Sequence, residues 1–214
     1  MNKILIILSL VLLVSCSSKE IPYENLVVRQ GVHYEVNSQT PFTGVSVEYH
    51  ENGQLNNRTS YKDGKKDGLV EDYYENGKLN NRTSYKDGKK DGLVEDYYEN
   101  GQLNNRTSYK DGKKDGVDEQ YYENGQLRLK GNYKDDKIED GLYASYHRNG
   151  KLNNRTSYKD GKKDGLYEWY GDNGQLEFKA NYKNGKKDGL VEDYYENGKL
   201  NNRTSYKDGK KDGL

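Results

Sequence analysis

Gly68-Leu-Val-Glu-Asp-Tyr-Tyr-Glu-Asn-Gly77-Lys-Leu-Asn-Asn-Arg-Thr-Ser-Tyr85-Lys-Asp-Gly88-Lys-Lys-Asp91 is the stretch that decides the fold. It holds two turn signals. Glu75-Asn76-Gly77 reads as a tight hairpin turn with glycine at positive φ, and Lys86–Asp91 reads as a longer polar turn. Two runs of strand length separate them, so 24 residues encode one β-hairpin. The pattern then restarts. Its start glycines are Gly44, Gly68, Gly92, Gly116, Gly141, Gly165, Gly189 and Gly213, spaced by 24 residues apart from one interval of 25 after Gly116. The extra residue lies within Asp135–Asp140.

Such a period predicts an all-β chain: an elongated antiparallel β-meander, or solenoid, of 24-residue β-hairpin repeats. A lone two-stranded hairpin is not stable in water, so each unit depends on its neighbours. Comparing the copies suggests which face packs. Tyr73, Leu79 and Tyr85 recur in every complete unit, whereas Tyr74 gives way to His50, His147 or Gly171. With a three-residue loop, Tyr73 stands opposite Leu79. Simple alternation then places Leu69, Tyr73, Leu79, Asn81, Thr83 and Tyr85 on one packed face, with Glu71 beside Asn81 across the hairpin.

Composition narrows the function classes. The chain is 31% hydrophobic and 33% charged, with 22 Tyr against 2 Phe and 1 Trp. Its 35 basic and 35 acidic residues are interleaved in every unit, so no concentrated cationic stripe forms and nucleic acid is not an expected partner. The three histidines do not converge. His50 and His147 hold the same repeat position four units apart, roughly 40 Å at two strands per unit. No nucleophile–base arrangement, phosphate-binding loop or metal motif is present, so no catalytic residue, metal or cofactor is expected and the chain reads as a non-enzyme. Asp63–Asp67 clusters acids about a glycine, but lacks the alternating ligands of a calcium loop and reads as a solvated turn.

The N-terminus has its own character. Lys3 precedes a predominantly apolar run of eleven residues, Ile4–Val14, which is a signal-peptide core too short to span a bilayer. It ends in Leu13-Val14-Ser15-Cys16, which resembles the bacterial lipobox. That resemblance implies cleavage before Cys16, the only cysteine in the chain, and acylation of its thiol (palmitate among the acyl groups) to anchor the protein in a membrane. In a Gram-negative cell, Ser17 in place of Asp after the cysteine implies the outer membrane. The expected organisation is a signal peptide over 1–15, a lipidated tether over 16–25 and an N-terminal cap hairpin over 26–43. The repeat array follows over 44–214, as seven units and a truncated eighth.

The units, Gly-x4-Tyr-Tyr-x-Asn-Gly-x-Leu followed by Tyr-x-x-Gly-x3-Gly, resemble the MORN-repeat variant of bacterial envelope and secreted proteins. The resemblance covers roughly residues 42–214. It implies a scaffold that associates with protein or lipid, and relatives carry an antitoxin role in toxin–antitoxin systems. The near-identity of copies such as 68–91 and 189–212 departs from the usual pattern and points to recent duplication. The residues and the resemblance together predict a lipid-anchored lipoprotein of the cell envelope with a non-catalytic scaffold that binds protein or glycan. An antitoxin or immunity protein and an array that associates with lipid headgroups are the alternatives. The candidate partner-binding residues are Tyr74, Tyr98, Tyr122 and Tyr195. These repeat-position tyrosines would line the outward face and anchor a partner, or else pack with Val70 and the Arg82 stem.

Overall fold

The computed structural model describes residues 19–213; the expected signal peptide over 1–15 and the expected lipidation at Cys16 lie outside the described residues. Strand β1 (Glu20–Pro22) pairs in parallel with β4 (Gly44–Tyr49), between them a 3-10 turn and a separate hairpin of β2 (Leu26–Arg29) and β3 (Val32–Glu35). From β4 the chain runs as one antiparallel meander. β5 (Leu55–Lys62), β6 (Lys65–Tyr73) and β7 (Leu79–Lys86) pair in sequence, and their pattern recurs to Lys210–Lys211, giving a 17-stranded sheet. Two long strands per unit confirm the all-β repeat architecture that the period predicts.

Local chemistry sets both turns. Tyr74 and Lys78 close the loop Glu75-Asn76-Gly77 through Tyr74 N–H to Lys78 O at 2.9 Å, while Gly77 N–H donates to Tyr74 O and adopts φ +78°. This is the three-residue loop that ends in a left-handed residue. The Lys86–Asp91 segment is tighter than the sequence suggests. Asp87 and Gly88 both have positive φ, at 49° and 83°, and form a two-residue primed turn, with Lys89 already in the next strand. Asp-Gly supplies both left-handed positions at low cost, which is why the turn closes so early.

The expected single packed face is corrected by a bulge. Tyr73 does pair with Leu79, but Asp72 pairs with Asn81, which leaves Asn80 without a residue opposite. One extra residue reverses the parity of the whole second strand. Val70, Asp72, Asn81, Thr83 and Tyr85 therefore share one face, and Leu69, Glu71, Tyr73 and Arg82 share the other. Glu71 stands opposite Arg82, not beside Asn81. Leu69, assigned from the sequence to the packed face, is 41% exposed, whereas Val70 is 6% exposed. A second irregularity sets Asp67-Gly68-Leu69 against Ser60. There Gly68, at φ +103°, brings its backbone so close that a β-carbon would lie 3.0 Å from that of Ser60.

The core is one row along the middle of the sheet. Ser46, Thr59, Val70, Thr83, Val94 and Thr107 follow one another strand by strand and are buried. β-Branched side chains fit this half-covered pleated surface. At the N-terminal end the β2–β3 hairpin covers Tyr61. His33 and Phe42 lie 4.6 and 5.8 Å from its ring, and His33 N–H donates to Gly64 O in the first Asp-Gly turn.

Candidate functional site

Three ladders of side chains join repeat to repeat, and they locate the residues that the sequence singles out. The first crosses the face of Glu71. Arg58, Glu71, Arg82, Glu95, Arg106, Glu119 and Lys130 stand directly opposite one another on successive strands. After Ala144 the row resumes as Arg155, Glu168, Lys179, Glu192 and Arg203. Acid and base alternate at every step, interrupted only by Ala144. Arg82 Nε donates to Glu71 Oε1 and Arg106 Nε to Glu95 Oε1, each at 3.0 Å, and Arg155 contacts Glu168. Tyr73, Tyr97, Tyr121 and Tyr194 donate their hydroxyls to the glutamate two residues earlier.

Electrostatics follow from that geometry. The hydrogen bond from Tyr194, with Arg203 alongside, holds the Glu192 carboxyl below the usual range although burial opposes it. Burial also raises Glu119, but hydrogen bonds from Lys130 and Tyr121 outweigh it and the net shift is downward. Burial first, then the paired Glu95, pushes Tyr97 upward.

The second ladder runs along the Glu-Asn-Gly loops and takes in the candidate tyrosines. Tyr74 donates its hydroxyl to Tyr97 O at 2.6 Å, Tyr98 to Tyr121 O at 2.8 Å and Tyr122 to Tyr146 O at 2.9 Å. His50 and His147 hold the same position and place Nε2 2.8 Å from Tyr73 O and Tyr170 O. A carbonyl oxygen only accepts, so Nε2 carries the proton in both rings. These residues strap each loop to the next repeat. Tyr195 is 55% exposed, and Gly171 at the equivalent place has no side chain to bridge with. Beside the straps Asn76 donates to Glu99 O, as Asn52 does to Glu75 O. The third ladder joins the Asp-Gly turns: Asp67 accepts from Asp87 N–H, and Asp91 from Asp111 N–H.

The face of Val70 is uneven. In the regular units it carries a polar network: Asn57 donates to Asp72 and Asn81 to Asp96, each at 2.7 Å, while Thr59 donates to Asn57. In the divergent units, 116–188, the same positions hold Leu129, Trp169 and Phe178, and the core row holds Tyr143 and Tyr167. Bulk is exchanged across strands: Tyr167 faces Ala180, and a β-carbon on Gly131 would overlap the Tyr143 ring. Burial pushes the Tyr143 phenol up to about 12. Leu129 and Phe178 replace Asn81, and Gly131 and Ala180 replace Thr83, but only strand pairing puts Trp169 in one row with Leu129 and Phe178. The signal was present, because large and small residues change together between adjacent strands. Among the described residues no three His, Cys, Asp or Glu side chains come together as a metal-binding group.

The MORN repeat variant family matches seven segments of the chain: 42–63, 66–87, 90–111, 114–135, 139–160, 163–184 and 187–208. Among curated proteins none matches it.

Proposed function

The chain belongs to the MORN repeat variant family, and from that premise we propose that it is a non-catalytic scaffold anchored in the cell envelope by a lipid on Cys16, with the sheet as its binding surface for protein or glycan. One observation carries the scaffold part. The ionisable side chains on which chemistry would depend are engaged along the ladders: histidines on backbone carbonyls, glutamates on arginines and tyrosines. Repeated self-satisfied units of this kind build length and area instead of a pocket. The anchor part is supported by the basic start at Lys3, the apolar run Ile4–Val14 and the lone cysteine that follows it. Ser17 after Cys16 favours the outer membrane as the destination.

Labelled palmitate tests the anchor. The full chain should incorporate label and sediment with outer-membrane vesicles, and Cys16→Ala should do neither. Label retained by Cys16→Ala, or a wild-type chain recovered wholly in the soluble fraction, overturns it.

A further inference from the structure

Along the row through Asp72 the chemistry changes abruptly. The regular units read Asn57, Asp72, Asn81, Asp96, Asn105. The divergent units then read Gln120, Leu129, Ser145, Asn154, Trp169, Phe178, before Asp193 and Asn202 restore the pattern. Tyrosines gather beside this row. Tyr143 and Tyr158 have ring centroids 5.1 Å apart, Tyr167 and Phe178 5.8 Å, and Tyr167 and Tyr182 6.2 Å. Trp169 is 44% exposed, with its indole N–H held by Asn153 Oδ1 at 2.9 Å. That bond fixes the ring and leaves its surface to solvent.

Charge changes with shape. In regular units each lysine of the Lys66 row shares this face with one aspartate of the Asp72 row. Through Gln120, Ser145 and Trp169 the aspartate is missing; Lys114 and Lys163 keep the lysine of their units, Ile138 replaces it in the unit of Ser145, and Lys187 keeps its aspartate as Asp193. Lys163 sits over the rings of Tyr167 and Tyr182 at 4.4 and 5.4 Å, and Lys187 over Phe178 and Tyr206 at 5.3 and 5.2 Å. Asp118, the buried acid nearby, already accepts from Thr107 at 2.7 Å and lies 3.5 Å from Lys114. Asp193 bounds the patch on its C-terminal side. What remains is an open, aromatic and cationic platform in an otherwise polar, charge-balanced face.

We infer that this platform, centred on Trp169, Phe178, Lys163 and Lys187, is a binding site for an acidic glycan. The exposed Trp169 ring, with the half-buried Phe178 ring beside it, offers a stacking surface to the C–H faces of pyranose units, and the two ammonium groups meet the acid groups carried on the same sugars. An extended polymer suits an open sheet surface better than a small molecule does, since small ligands are held in concave sites. The assignment rests on the scaffold reading above and names the partner class, but the two fail separately: palmitate reports on the anchor, and the platform has its own reporter.

That reporter is Trp169, the only tryptophan in the chain. Polygalacturonate oligomers titrated into the full chain at low salt should change its fluorescence saturably, and neutral dextran should not. Phe178→Asn, which installs the residue of the regular units, should weaken binding about three- to tenfold. Lys163→Gln combined with Lys187→Gln should weaken it roughly tenfold and flatten its salt dependence. The lysine pair keeps the test standing if Phe178→Asn disturbs packing. An unchanged emission with polygalacturonate, equal binding of dextran, equal binding of poly-glutamate, or full affinity in the lysine double variant each overturns the assignment.

Discussion

Glu95 lies between two arginines: it pairs across one strand boundary with Arg82 and across the next with Arg106, whose Nε donates to it at 3.0 Å. Glu95 is 8% exposed, so its charge is removed from water and depends on these neighbours and on the Tyr97 hydroxyl. The net charge of zero thus conceals an ordered row, in which each unit contributes its acid to one strand and its base to the next.

Breaking that row should cost stability, and mending its gap should add some. Glu95→Ala leaves Arg82 and Arg106 facing each other and the Tyr97 hydroxyl without its acceptor, and should lower unfolding free energy by roughly 1–2 kcal/mol. Ala144 stands between Lys130 and Arg155, so Ala144→Glu should stabilise by about 0.2–1 kcal/mol. Urea unfolding at low and high salt checks both, with the gain from Ala144→Glu shrinking as salt rises.

The loop straps should behave as hydrogen bonds between repeats. Tyr98→Phe removes the donor to Tyr121 O and should cost about 0.5–1.5 kcal/mol. Tyr195→Phe, at a residue that is 55% exposed, should leave the urea midpoint unchanged. Equal effects at the two sites would mean that the rings, and not the hydroxyls, hold the loops.

Stability should fall at both ends of the pH scale. Glu119 and Glu192 titrate below the ordinary glutamate value of about 4.3. Their contribution is therefore full above that value and is lost as pH drops through the lower folded pKa. The phenol of Tyr143 is raised to about 12 by burial, so its contribution is full below the ordinary tyrosine value of about 10 and is lost as pH climbs toward 12. Circular dichroism across acid and alkaline titrations should show both limbs. Glu192→Gln should flatten the acid limb, and Tyr143→Phe should flatten the alkaline one.

Gly131 and Tyr143 should prove interdependent. Gly131→Ala drives a methyl group into the Tyr143 ring and should cost roughly 1–3 kcal/mol. Adding Tyr143→Val, the residue of the regular units, should recover most of that loss. Thermal unfolding of the two single variants and the double variant measures the coupling.

Much of the architecture was legible because it is encoded within a few residues. Glu75-Asn76-Gly77 gives its three-residue loop, and the Tyr73–Leu79 pairing was readable from loop length. The Asp87-Gly88 turn is shorter than the sequence suggests, because its flanking lysines have loop character although Lys89 already belongs to a strand. Simple alternation sets Glu71 beside Asn81 because it puts the true partner, Arg82, on the other face. Five of the seven units pair Glu at the Glu71 position with Arg or Lys at the Arg82 position, with Val47 and Ala144 as the exceptions, and that pattern points to the register. The candidate tyrosines 74, 98 and 122 were identified as a set, but their hydroxyls reach carbonyls 23 or 24 residues on, a distance at which no local pattern points.

The amino-acid sequence by itself determined the period, the turns and one hairpin per unit, because glycine, asparagine and aspartate choose their backbone angles with little reference to the rest of the chain. Only the tertiary structure decided which side chains share a face. The unpaired Asn80 is defined by hydrogen bonds between strands, and a single extra residue carries every later side chain to the opposite side of the sheet. That shift brings Glu71 against Arg82 and sets Trp169 beside Phe178.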